Sequence, residues 1–307
     1  MFDLSENVPR VPWHHSTVRT DDGASLAVQS AGEGPAVLFA NGIGVTAPGL
    51  DAIAEHLRLR GHRVICWDYR GMGRNPAPPA SVEYTMPRHA RDALQVLDAL
   101  DVPRAAVLGW SMGVPVGLEM IRVEPKRVVA FGVLFGSPAS PFKIAFPRPF
   151  SDVVHLAVAF SRKVPWGAQA FLRLGVAIPP LTWFLCTLTG FCGDRANREV
   201  FMEHVRSTTD SDKTAYFTTM YEMMYHDARD LLPSIRCPVL VVAGEKDWVT
   251  PPEAAAEMAR LIPGARHVFF PETSHFGVIE HGPSLWGPID QLLEDAGWVP
   301  GAPGATA

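Results

Sequence analysis

Ser111 stands in Gly109-Trp110-Ser111-Met112-Gly113, directly after the apolar run Ala105–Leu108 and directly before the helix-forming run Met112–Val123. The pattern Gly-x-Ser-x-Gly is weak alone in a chain with 26 Gly, and the strand–turn–helix context is what makes it informative. A serine on such an elbow is held in a strained conformation with its hydroxyl pushed above the sheet edge. Small residues two before and two after it let strand and helix approach closely. Pro115 fits this reading, because the first turn of a helix has no intrahelical acceptor for its N–H groups. A serine hydroxyl is a poor nucleophile at neutral pH. It needs a base, and the base needs an orienting acid. The chemistry indicated is acyl transfer to water.

The acid is expected at a later strand end. Gly244-Glu245-Lys246-Asp247 follows the apolar run Val239–Ala243. Asp247, three residues past Gly244, can aim a carboxylate along the sheet edge, with Glu245 as the competing candidate. The loop Gly136–Ser140 offers no acid. The base is expected after the last strand, and His275 follows Phe270 within five residues; among 11 histidines it is distinguished by position, not type. His281 reads as a surface residue of the next helix. His14, His15, His56 and His62 read as strand or helix-end histidines, with no spacing that collects metal ligands and no His-Glu-x-x-His. No metal and no organic cofactor is called for.

These residues need a scaffold that brings three distant loops to one edge. Trp13–Arg19 and Ser25–Gln29 read as strands around an Asp21-Asp22-Gly23 turn. Strand signals at Ala36–Ala40, Arg63–Trp67, Ala105–Leu108 and Val128–Phe135 alternate with helical periodicity at Leu50–Leu57, Ala90–Leu100 and Met112–Val123. After a break, strands return at Pro238–Ala243 and Arg266–Phe270. Thr250-Pro251-Pro252-Glu253 reads as a capped helix start, and Pro288–Asp295 as the last helix. Apolar strands alternating with helices predict an α/β fold: a mostly parallel central sheet, helices on both faces, and an inserted helical cap. The boundaries read as core over residues 1–140 and 229–298, cap over 141–228, and a disordered tail over 299–307. Ligands bind at the carboxyl ends of the strands in open α/β sheets, so an insertion entered there should roof the site.

Taken together, Gly-Trp-Ser-Met-Gly, Asp68-Tyr69-Arg70-Gly71-Met72-Gly73, Gly244-Glu245-Lys246-Asp247 and Ser274-His275 resemble the α/β-hydrolase family, specifically its Ser-nucleophile members with a helical cap. The resemblance covers nearly all of residues 11–298, and the order Ser111, Asp247, His275 is the family's nucleophile–acid–base order. It implies an oxyanion hole built from the backbone N–H of Met112 and, by position, that of Ile43. The loop that usually reads His-Gly-x in the family reads Asn41-Gly42-Ile43 here. The Asp68–Gly73 segment is then a structural loop with Arg70 paired internally. Haloalkane dehalogenases and epoxide hydrolases carry Asp where this chain has Ser111. The implied activity is that of a serine hydrolase cleaving an apolar carboxylic ester or lactone through an acyl-enzyme. A carbon–carbon bond hydrolase, a thioesterase or an acyltransferase would use the same triad, and a non-catalytic ligand-binding protein on this fold is the alternative from another class.

Composition bounds the remaining possibilities. Apolar residues make up 47% and charged residues 19%, a globular balance that excludes disorder. A net charge of −5 with no basic cluster argues against nucleic acid as a partner, and leaves a small apolar ester-type substrate. Leu174–Gly193 is uncharged for 20 residues, but Pro179-Pro180 breaks it, so no transmembrane span is expected. Four scattered cysteines and the absence of an apolar leader predict a reducing, cytoplasmic setting. The insertion is rich in large apolar side chains, among them Val158, Phe160, Leu174, Trp183 and Leu185. Met220, Met223 and Met224 come late in it and are suited to adaptable apolar walls.

Overall fold

The computed structural model describes residues 11–46, 50–78, 82–140, 148–302 and 304–305. One sheet of eight strands organises the molecule: β1 (His14–Arg19), β2 (Ser25–Ala31), β3 (Ala36–Ala40), β4 (Arg63–Trp67), β5 (Ala105–Trp110), β6 (Val128–Leu134), β7 (Val239–Gly244) and β8 (Arg266–Phe270). Their spatial order is β1-β2-β4-β3-β5-β6-β7-β8. The β1–β2 hairpin is antiparallel and pairs antiparallel with β4, while every neighbouring pair from β4 to β8 is parallel. The α/β architecture and the mostly parallel sheet expected from the alternation are both present.

Every residue of β3 and β5 is buried, so these strands read as continuous apolar runs. Successive side chains face opposite sides of the sheet. Leu38, Ile65 and Val107 pack with α2 (Met86–Ala99), α3 (Gly113–Val123) and α9 (Pro252–Leu261). Val37, Phe39 and Leu108 pack on the other side with α1 (Asp51–Leu59) and α11 (Gly282–Asp295). A single turn, α10 (Gly277–Glu280), precedes α11.

Among the described residues, five α-helices run between β6 and β7: α4 (Arg148–Lys163), α5 (Pro165–Ala177), α6 (Pro179–Leu188), α7 (Arg198–Asp210) and α8 (Lys213–Tyr225). Residues 141–147, where the expected insertion begins, lie outside the described residues. Prolines open α5 and α6, where a missing N–H is harmless. Asn197 and Asp212 cap α7 and α8 by accepting from Val200 N and Ala215 N. No helix among the described residues is long and apolar enough to cross a membrane. Leu156, Trp166 and Leu188 of this segment are nonetheless exposed.

Register brings the loops together. Ala40 lies beside Gly109, so β3 and β5 end side by side although β4 separates them in sequence. Gly244 lies beside Phe270, so the loops after β7 and β8 emerge as neighbours. The sheet's topological switch falls between β3 and β5, which is where ligands bind in such folds.

Three local expectations change. Thr250 does not cap α9: the helix begins at Pro252 without a side-chain cap, and the Thr250 hydroxyl is committed to Asp247 instead. The last helix starts at Gly282 and runs through Pro288, because its buried face of Leu285, Ile289, Leu292 and Leu293 outweighs the lost ladder bond. Of residues 299–302, 304 and 305, expected within a disordered tail, Ala302 and Ala305 pack on the core while Pro300, Gly301 and Gly304 are exposed. Arg104 donates to Gly304 O at 2.6 Å, and Ala305 is buried.

Candidate active site

Ser111 sits between β5 and α3 with φ 53°, in the left-handed region that a non-glycine residue rarely occupies. The glycines around it are required by close approach. A Cβ on Gly109 would lie 2.6 Å from Gly113 O, and one on Gly113 would run into the Ala40 carbonyl. This packing holds the elbow in its strained shape and presents the serine side chain to a pocket.

His275 is buried in the loop after β8, and its Nε2 lies 2.9 Å from Ser111 Oγ. Its Nδ1 lies 3.0 Å from Asp247 Oδ2. An ionised carboxylate only accepts, so Nδ1–H donates to Asp247 and Nε2 accepts from the serine hydroxyl. Asp247, 2% exposed, also accepts from Val249 N at 3.0 Å, Thr250 N at 2.8 Å and Thr250 Oγ1 at 2.7 Å. Three donors besides the imidazole occupy its oxygens in a buried position.

The sequence candidates therefore divide. Ser111, His275 and Asp247, drawn from three distant loops, form one hydrogen-bonded chain. Glu245 is exposed and turned away, accepting from Glu272 N at 2.9 Å. His281 is half-buried, not a surface residue: its Nε2 is 2.7 Å from Thr273 Oγ1 and its ring stacks on Phe270. Ile43 lines the pocket beside Ser111. Among the described residues, neither the Ile43 N–H nor the Met112 N–H donates to another group. Asn41 braces the Ile43 loop through a long bond from Nδ2 to Val45 O, 3.5 Å, and Tyr69 donates to Asn41 O at 2.9 Å. Arg70 is fully buried, bidentate to Asp92 at 2.7 Å and paired with Asp22 at 2.7 Å, so its loop is structural.

Two supporting residues carried no legible sequence signal. Thr250 looked like a helix cap. Glu280, on α10, is a buried carboxylate that accepts from Ser274 N at 3.1 Å, from the Ser274 hydroxyl and from Gly193 N at 2.9 Å. It ties the residue before His275 to the segment between α6 and α7.

The pocket over Ser111 is about 150 Å³. Phe191, Tyr216, Met220 and Met223 from the segment between β6 and β7 supply much of its apolar wall, and Trp110, Val249 and Phe276 the rest. Met224, also an expected wall residue, is instead fully buried in the core. Among the described residues, no group of three His, Cys, Asp or Glu side chains is placed to hold a metal ion.

Residues 35–282 match the sequence family described as alpha/beta hydrolase fold. The chain belongs to this family. Among curated relatives, it is 26% identical over 273 residues to a pimeloyl-[acyl-carrier protein] methyl ester esterase of Chromobacterium violaceum, covering 88% of this chain and 98% of that one. It is 24% identical over 248 residues to 3-oxoadipate enol-lactonase 2 of Acinetobacter baylyi, covering 78% of this chain and 82% of that one. A solved hydrolase from Pseudomonas aeruginosa superposes on this α/β hydrolase with a TM-score of 0.73 at 29% identity, covering 91% of this chain and 98% of that chain. The chain spans less than half the length of several other curated relatives it matches: 38%, 13% and 41% of three of them.

Proposed function

We propose that this α/β hydrolase is a serine esterase or lactonase acting on an apolar carboxylic ester through an acyl-enzyme. The observation that carries the reading is the Ser111–His275–Asp247 chain, at 2.9 and 3.0 Å, with Ser111 held at φ 53°. The relatives that hydrolyse a methyl ester and an enol lactone are in keeping with it.

Each group has a part. His275 Nε2 takes the serine proton as Oγ attacks the carbonyl carbon. The Ile43 and Met112 N–H groups receive the oxyanion, where preorganised donors count most. Asp247 keeps the imidazole in the tautomer with the proton on Nδ1 and stabilises the imidazolium. His275 then gives its proton to the leaving alcohol. Water, deprotonated by the same imidazole, attacks the acyl carbon and frees the acid and Ser111. The segment between β6 and β7, with helices from Arg148 to Tyr225, serves as the cap that roofs this pocket. Its apolar wall favours neutral acyl groups, at about 0.8 kcal/mol per buried methylene, or close to fourfold per carbon until the pocket is full.

The test is a serine-directed phosphonate together with a substrate panel of esters, lactones, thioesters and vinylogous diketones. Labelling is expected at Ser111 alone, and Ser111→Ala should lose about 10⁴-fold in kcat. Labelling at another serine, or an active Ser111→Ala enzyme, overturns the reading.

A further inference from the structure

A second cavity of about 480 Å³ lies between α5, α6 and α7. It shares Phe191, His204 and Tyr216 with the pocket over Ser111, so the two spaces adjoin at those three side chains. The sizes differ in kind. A space of about 150 Å³ holds a benzene-sized group, whereas ligand sites run from about 300 to 1,000 Å³. The Ser111 pocket alone therefore takes the reacting end of a substrate and little more. The second cavity is walled by Leu174, Ile178, Leu181 and Leu185, all of them exposed. Its outer wall is thus apolar both inside and out.

The junction carries two polar side chains, His204 and Tyr216, of which His204 is the one with an enclosed, unpartnered nitrogen. His204, on α7, is half-buried, and its Nδ1 is enclosed with no hydrogen-bond partner among the described residues. Its ring lies against Trp110 and Phe276, with centroids 6.4 and 5.4 Å away. Burial, reinforced by His275 nearby, holds it down at about 4, so it is neutral at physiological pH. A neutral imidazole keeps one proton, and a buried N–H left unpaired is rarer than a buried acceptor left unpaired. With Nδ1 enclosed, Nε2–H is the group available to a ligand.

We propose that the second cavity holds the distal acyl chain of the substrate, and that His204 Nε2–H donates to an oxygen in that chain as it passes the junction. This rests on the serine-hydrolase reading and narrows it. The substrate class is a medium- or long-chain acyl ester or lactone whose chain carries a carbonyl, ether or amide oxygen a few bonds from the scissile carbonyl. His204 is a specificity-determining residue and takes no part in the proton transfers at Ser111.

The experiment compares acetyl and octanoyl esters with octanoyl analogues in which one chain methylene at position 4, 5 or 6 is replaced by oxygen. For the unaltered protein, kcat/KM is expected to rise from acetyl to octanoyl. One oxygen position should gain about threefold to tenfold over the all-carbon chain, the range of a single net hydrogen bond. In His204→Phe that gain should vanish while the octanoyl-to-acetyl ratio is kept, and His204→Gln, which restores a donor, should recover part of it. Val205→Trp, which fills the cavity from α7, should lower the octanoyl-to-acetyl ratio at least tenfold. Cys186 lines the cavity and provides a readout without turnover. In Ser111→Ala, saturating octanoyl ester should slow labelling of Cys186 by a small thiol reagent, and acetyl ester should not. Equal losses for both esters in Val205→Trp, an oxygen preference that survives His204→Phe, or no protection of Cys186 would each overturn the proposal. Failure to hydrolyse any ester while Cys186 is still protected would instead reject the hydrolase reading and keep the chain site.

Discussion

Asp247 and Glu245 are two residues apart and chemically alike, yet only Asp247 meets an imidazole. Asp247→Asn keeps the shape but favours the wrong imidazole tautomer, so kcat should fall by about 10⁴-fold, and Glu245→Gln should stay within about twofold. Steady-state kinetics on the two purified variants decides between them, and the reverse order would move the acid to Glu245. Thr250 acts through Asp247. Removing its hydroxyl in Thr250→Val takes away one of the donors that steady the carboxylate, and a hydrogen bond to a charged group is worth about 1.5–3 kcal/mol. The expected result is at least a tenfold loss in kcat with little change in KM. A loss confined to thermal stability would mean that the residue only packs.

At the level of elements, the His275 loop is held by α10. The Glu280 carboxylate accepts from Ser274 and Gly193 together, so Glu280→Ala leaves the buried Ser274 N–H and hydroxyl without their acceptor, while the Gly193 N–H keeps Ser274 Oγ at 3.0 Å. A stability loss of about 2–3 kcal/mol is expected by urea unfolding, along with a lower kcat. An enzyme of normal stability and activity would show that the brace is dispensable. The joint between α7 and α8 carries a different device. Lys213 is buried with its ammonium donating to Thr208 O at 2.7 Å and Ser211 O at 2.6 Å. Burial lowers it from 10.5 to about 8. Between those two values the unfolded chain binds more protons than the folded one, so stability rises with pH across about 8 to 10.5 and is flat below. The rise should be at most about 3.4 kcal/mol. It should disappear in Lys213→Met when the two pH–stability curves are compared. An identical slope in both proteins would assign it to other groups.

For the whole molecule, the chain closes on itself. Trp298 donates to Ala36 O at 2.8 Å, Arg104 lies over the Trp298 ring, and Gly304 O takes the Arg104 guanidinium. Ending the chain after Trp298 removes the Gly304 contact and the burial of Ala305, and should cost about 1 kcal/mol in urea unfolding while kcat is unaffected. No change in the unfolding midpoint would show that the tail adds nothing to stability.

Much of this was legible in the residues. The strand–helix alternation and the uninterrupted apolar runs of β3 and β5 announce a buried parallel sheet, because only strands covered on both faces can be apolar throughout. Ser111 could be singled out because Gly109 and Gly113 flank it between a strand and a helix. Asp247 and His275 could be narrowed to two loops because strand ends are where such folds put ligand-binding groups. Other features were not legible. Thr250 has the residue type and spacing of a helix cap, and Glu280, His204 and Lys213 sit in no pattern. The roles of these four depend on loop conformation, on a distant partner such as Gly193, which lies 87 residues from Glu280, or on burial that no local spacing encodes. Pro288 looked like a helix boundary until the packing of α11 on the sheet overrode it. Local periodicity and turn chemistry are short-range, so the sequence by itself determined the elements and their order. Which distant side chains come within hydrogen-bonding reach depends on sheet register and loop packing, and that was decided only by the tertiary structure.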